Sequence, residues 1–155
     1  MYKFEIFADY FQFVLMDEKS EDDFSTSWTD ESVDIMLAVA KSAICPGTFR
    51  NVQVKVEIEI LSSSPSVIEA DWDNIVEASF DVPTGKLVVM SCTGYLPDAP
   101  RIKIDPGTYQ VLSLAGGIDS IKNEWEPAKD IYRLYLWPGP LRPAKLIKDW
   151  RKSNS

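Results

Sequence analysis

Val52-Gln53-Val54-Lys55-Val56-Glu57-Ile58-Glu59-Ile60 alternates without a fault, with five β-branched residues on one side and four polar ones on the other. A period of two sends successive side chains to opposite faces of an extended chain, so this stretch reads as a strand with one buried and one wet face. The pattern recurs downstream. Residues 75–82 place Val76, Ala78, Phe80 and Val82 inward and Glu77, Ser79 and Asp81 outward, and Pro83-Thr84-Gly85 turns the chain into a hairpin partner over 86–92. Residues 101–104, the Asp105-Pro106-Gly107 turn and residues 108–114 repeat the scheme, and 131–137 carries Tyr132, Leu134 and Leu136 on one side. Upstream, 2–8 and 10–16 are aromatic-rich and suggest an early strand pair or one long bent strand. Strands at this spacing, without alternating helices, predict an antiparallel β-sandwich or flattened barrel.

One stretch breaks the alternation. From Ser27 to Pro46, Val33, Met36, Leu37, Ala40 and Ile44 recur at three- and four-residue spacing, which predicts one inserted α-helix over about residues 29–44. Thr29 is a natural N-cap, Asp30 and Glu31 suit the positive end of the helix dipole, and Trp28 is placed to staple onto Val33. Pro46-Gly47 would end the helix.

The 155 residues are enough for one domain with a real core, read as 1–137, followed by a basic tail over 138–155. Arg142, Lys145, Lys148, Arg151 and Lys152 in that tail face Asp149 alone, while the whole chain carries a formal charge of −8. Such a body is a poor partner for nucleic acid and a better one for a basic protein. Histidine is missing from the sequence, which removes the usual neutral-pH base and the commonest metal ligand. Cys45 and Cys92 sit in apolar surroundings and read as free thiols rather than a bridge, which points to a reducing compartment. The first residues are interrupted by charge, so neither a signal peptide nor a membrane span is expected, and the cytoplasm is the default.

Four features are candidates for function. Asp17, Glu18, Glu21, Asp22, Asp23, Asp30, Glu31 and Asp34 face Lys19 alone, which suits either a docking face for a basic partner or a solvated loop leading into a helix. Glu69-Ala70-Asp71-Trp72-Asp73 offers three carboxylates but lacks the glycine and length of a calcium loop, and reads as a surface turn rather than a metal site. Of the five tryptophans, Trp72 and Trp125 lie in loop-like sequence and could stack on a sugar or small ligand, although core is the usual place for indoles. The basic tail could dock on the acidic face of the same molecule, bind an acidic partner or stay disordered. No nucleophile motif, phosphate-cradling loop or metal quartet is seen, so no enzyme activity and no cofactor are expected.

Tyr10-Phe11-Gln12-Phe13-Val14, followed by Trp28-Thr29-Asp30-Glu31 opening a segment with Ala38, Ala40 and Ala43, resembles the competence protein J family. Phe80-Asp81-Val82, the Gly85 turn, Val88-Val89-Met90-Ser91 and Ile104-Asp105-Pro106-Gly107-Thr108-Tyr109-Gln110 fall in the same order, so the likeness spans most of 10–137. The longer acidic loop, the insert near 117–128 and the basic tail depart from it. The resemblance implies a non-catalytic protein that binds and blocks a DNA-degrading nuclease, as a competence regulator or immunity-type partner. Charge then suggests Asp22, Asp23, Trp28, Asp30, Glu31 and Asp34 as partner-binding residues. A carbohydrate- or small-ligand-binding module using Trp72 and Trp125 is the alternative. The expected partner is a basic protein; neither direct nucleic-acid binding nor membrane contact is expected, and a homo-oligomer stays open.

Overall fold

The computed structural model describes residues 1–21, 28–92, 94, 96–123 and 125–153. Two β-sheets pack face to face. The first has six strands in the order β1 (Tyr2–Phe7), β5 (Gln53–Ile60), β10 (Ile131–Pro138), β9 (Gly107–Gly116), β6 (Asn74–Val82) and β11 (Lys145–Lys148). The second has five, in the order β3 (Leu37–Val39), β4 (Ala43–Pro46), β2 (Phe13–Asp17), β7 (Lys86–Ser91) and β8 (Arg101–Lys103). The architecture is a sandwich and not a closed barrel. Pairings are antiparallel except β5 with β10, which run parallel from Lys55↔Ile131 to Ile60↔Leu136. Lys145–Lys148 of the basic tail form β11 at the edge beside β6.

The alternating residues do what their period requires. Val54, Val56 and Ile58 of β5 are buried with Tyr132, Leu134 and Leu136 of β10, and they meet Phe13, Leu15, Leu87 and Ile102 from the facing sheet in one core. Smaller clusters cover the outer faces, one around Trp72, Leu114 and Trp137 and another around Val14, Ala38 and Cys45. Strand β2 is therefore buried on both sides.

The helix is far shorter than its spacing predicts. α1 spans only Asp30–Ile35, capped by Thr29 Oγ1, which accepts from the Ser32 amide at 3.2 Å. Met36 ends it in the left-handed region (φ 61°), its amide reaching back to Ser32 and Val33 carbonyls. Leu37 to Pro46 then form a hairpin, β3 with β4, closed by the Ala40 amide donating to the Ala43 carbonyl at 2.9 Å. All four residues of β4 are buried, so no polar alternation marked the segment as a strand, and a short apolar run is ambiguous by period alone. Tyr10 and Phe11, expected within an early strand, instead form a tight turn with φ of 59° and 61°.

One buried polar network fixes the loops around this frame. Arg50 Nε and Nη2 donate to Asp130 Oδ2 and Oδ1 at 3.1 and 2.5 Å, and Nη1 donates to the Glu126 carbonyl at 3.0 Å. Tyr132 Oη donates to Asp130 Oδ2 at 2.9 Å and accepts from the Phe49 amide at 2.9 Å. Burial and the neighbouring Asp130 push the Tyr132 phenol well above its ordinary pKa. Asp17, at the end of β2, is likewise structural: it is 1% exposed and accepts from Thr84 N, Thr84 Oγ1 and Lys19 N.

Removing one partner of a buried ion pair leaves the other charge desolvated and uncompensated. Asp130→Ala should therefore lower the unfolding free energy by about 3–5 kcal/mol in urea titrations. Lys86→Ala, which breaks the more exposed pair with Glu18, should change it by about 1 kcal/mol or less. Burial, with Cys92 nearby, pushes the Cys45 thiol from 9.0 up to about 12, against a lowering contribution from Trp28. The folded state thus keeps a proton that the unfolded chain releases, so this contribution is whole below pH 9 and is lost as pH rises toward 12. Its slope is at most about 1.4 kcal/mol per pH unit. Cys45→Ala should flatten the alkaline fall in stability measured by denaturant titration at successive pH values.

Candidate functional site

The turn after β1 and the short helix meet at one end of the sandwich. The Ala8 amide donates to Val52 O at 2.9 Å as β1 ends, and the Phe11 amide returns to Ala8 O at 3.0 Å. Asn51 Oδ1 accepts from the Tyr10 amide at 2.9 Å, and the Thr48 amide donates to Phe11 O at 2.9 Å. These bonds hold Tyr10 and Phe11 in a left-handed backbone that bulky residues seldom adopt. Their side chains stand out from the surface, 69% and 46% exposed.

Beside them, Gly47 approaches Met36 so closely that a Cβ on the glycine would lie 3.3 Å from Met36 Cα, and its amide donates to Met36 O at 2.9 Å. Gln12 Oε1 accepts from Trp28 Nε1 at 2.7 Å and from Cys45 Sγ at 2.8 Å, fixing the indole against the sheet. Val33 is 61% exposed, so the expected staple with Trp28 does not bury it. The result is a hollow of about 530 Å³ lined by Tyr10, Phe11, Trp28, Val33 and Met36 among others. A neighbouring hollow of about 460 Å³ shares Val33, Met36 and Thr48 and continues over Phe49, Ile121 and Trp150. Phe49 and Trp150 meet edge to face, with centroids 5.6 Å apart. Tyr10, Phe11 and Met36, the non-glycine residues with positive φ among those described, all line the first hollow.

The acidic rim comes from α1. Asp30 and Glu31, in its first turn, are exposed, and neither is in an ion pair among the described residues. Asp34 accepts from Arg151 Nη1 at 3.1 Å, and Arg151 also bonds Asp149. Both partners of the Asp34 pair are largely solvent-facing, so the bond is weak. The helix end is tied to the first sheet by Asn74, which donates to Ile35 O at 3.2 Å and accepts from the Trp150 amide at 3.2 Å.

The sequence-based candidates are thus partly assembled. Trp28, Asp30, Glu31 and Asp34 share one end, whereas Asp22 and Asp23 lie outside the described residues. Glu18 is drawn away into bonds with Arg101 and Lys86. Trp72 is buried, with the Arg133 guanidinium 5.1 Å from its ring centroid, and Trp125 is 77% exposed over a separate hollow with Lys55 and Pro127. The two indoles are not brought together. Asp73 accepts from the Ile118 amide at 3.0 Å, and the described residues hold no cluster of three or more metal-ligating side chains. No helix among them is long and apolar enough to cross a membrane. Sequence spacing places Tyr10 and Phe11 in a strand and Val33 on a core stripe, whereas the structure exposes all three; the cue in the residues is two adjacent aromatics, which a strand cannot put on the same face.

No family model matches the chain, and no curated protein matches it by sequence. Two solved structures are similar in fold. The product of crocagin biosynthetic gene J aligns over 90% of this chain and 96% of its own, with a TM-score of 0.57 and 17% identity. ComJ of Bacillus subtilis, described as an inhibitor of the DNA-degrading activity of NucA, aligns over the same shares with a TM-score of 0.70 and 18% identity. The resemblance read from residues 10–137 therefore extends to the fold, which this chain shares with ComJ.

Proposed function

We propose that this chain is a non-catalytic binding protein that inhibits a DNA-degrading nuclease, docking through the α1 rim and the adjoining aromatic hollow. The observation that carries this reading is the convergence on one hollow of three strained non-glycine residues, two of them exposed aromatics, next to exposed Asp30 and Glu31. Strain of this kind persists only where the surroundings over-determine it, and it gathers at ligand-clamping surfaces. The fold shared with a known nuclease inhibitor supports the same reading.

The two parts of the surface do different work. A nuclease presents a basic groove to phosphates, so carboxylates at positions 30, 31 and 34 steer the encounter and occupy the place of DNA. Asp34 would exchange its weak bond to Arg151 for a partner cation at little cost. Tyr10 and Phe11 supply large rigid rings whose backbone is already ordered, which suits central anchors surrounded by a polar rim. Asp22 and Asp23 belong to the same acidic approach in this proposal.

The test is DNA cleavage by any nuclease encoded beside this chain's gene, and by B. subtilis NucA, with and without the purified chain. Inhibition is expected for at least one of them. Tyr10→Ala with Phe11→Ala should weaken it by at least about 2 kcal/mol, roughly thirtyfold, mainly through faster dissociation. Asp30→Lys with Glu31→Lys should slow association and reverse its salt dependence. Full-strength inhibition by both double variants, or none by the wild type at micromolar concentration, would overturn the proposal.

A further inference from the structure

The six-stranded sheet ends in β1, an edge strand among the described residues. β1 pairs with β5 on one side only, from Tyr2↔Ile58 to Phe7↔Gln53. The register continues to Ala8, whose amide donates to Val52 O, so Ala8, Ile6, Phe4 and Tyr2 point their main-chain groups at β5. Lys3, Glu5 and Phe7 therefore aim theirs outward, and no other strand among the described residues takes them up. A hollow of about 290 Å³ opens on this flank between Phe4–Phe7 and the Pro100 side of the facing sheet. Unpaired edges of this kind invite another strand.

The charges along β1 select the guest. In an antiparallel pair of two copies, outward-facing groups must meet outward-facing groups; registers centred on Ile6 or Phe7 leave Lys3 outside the paired strands, so three registers keep it in the ladder. One sets Lys3 opposite Lys3 and another sets Glu5 opposite Glu5, and both place like charges face to face. The remaining register centres on Phe4: Lys3 then faces Glu5 of the second copy, Glu5 faces its Lys3, Phe4 faces Phe4, and Tyr2 faces Ile6. Within each copy, Lys3 already lies across from Glu57, with 4.0 Å between Nζ and Oε2, and Glu5 lies across from Lys55. The row Glu57, Lys3, then Glu5 and Lys55 of the second copy alternates in sign across four strands, and its symmetry mate does the same.

We propose that β1 pairs antiparallel with β1 of a second copy about a two-fold axis through Phe4, joining the two large sheets into one. The interface is isologous. Each Lys3–Glu5 pair exchanges two main-chain hydrogen bonds, and the aromatic and β-branched pairs beside them add favourable cross-strand contacts. The pair centred on Phe4 spans residues 2–6 and so stops short of Tyr10 and Phe11 in the proposed nuclease-binding hollow.

Sedimentation of the full chain across a concentration series tests the pairing. The wild type should dimerise. Lys3→Glu gives two acidic positions that repel in a homodimer, and Glu5→Lys gives two basic ones, so each variant should weaken self-association by roughly tenfold or more. An equimolar mixture of the two variants restores both opposite-charge pairs and should sediment as a heterodimer, identified by a mass tag on one of them. Lys3 and Glu5 are both exposed, so each variant should keep the wild-type far-UV dichroism. A wild type that stays monomeric up to the highest concentration, single variants that dimerise as the wild type does, or a mixture that remains monomeric would overturn the proposal.

Discussion

The Arg50–Asp130 pair joins the loop that follows β4 of the small sheet to the residue just before β10 of the large one. Neither charge could remain buried alone, and the geometry satisfies both: Arg50 makes a bidentate bond and reaches the Glu126 carbonyl, while Asp130 also holds the Tyr132 hydroxyl. Because Tyr132 accepts from the Phe49 amide in turn, the network fixes the path of residues 48–50. Thr48 and Phe49 on that path line the hollows at the α1 end. Core electrostatics and surface shape are thus one problem, solved by a few side chains.

The price of that surface is conformational. Tyr10, Phe11 and Met36 sit in a region that costs roughly 1–2 kcal/mol for each L-residue. The surrounding bonds from Asn51, Thr48 and Gly47 keep them there. A partner meeting these side chains encounters groups that have already lost their backbone freedom, which favours affinity over plasticity.

Much of this fold was legible in the residues themselves. β5 followed from strict alternation, because one wet face left polar residues at every second place, and β6 and β10 from their inward apolar rows, since Ile75 and Trp137 on their other face join the outer cluster. The hairpin of β3 and β4 was not legible: it is buried on both sides, Ala and Leu suit a helix as well as a strand, and Thr29 opens a real helix just upstream. Asp30, Glu31 and Asp34 could be placed on a helix entrance from the capping pattern, whereas Tyr10 and Phe11 could not be placed on the surface. Their position depends on Asn51, forty-one residues away, whose side chain captures the Tyr10 amide. Local sequence cannot encode a partner that only the tertiary fold supplies.

The parallel pairing of β5 with β10 also sets the order in which this molecule can be built. During synthesis, the ribbon of β1 and β5 leaves the ribosome early, with an edge of unpaired main-chain groups that β10 later takes up, and β6 to β9 must emerge before that strand arrives. Long-range closure of this kind slows folding and lengthens the time in which nascent chains can aggregate. Lys55, Glu57 and Glu59 on the wet face of β5 keep the waiting ribbon charged, a safeguard for the ribosome-bound intermediate as much as for the finished sheet.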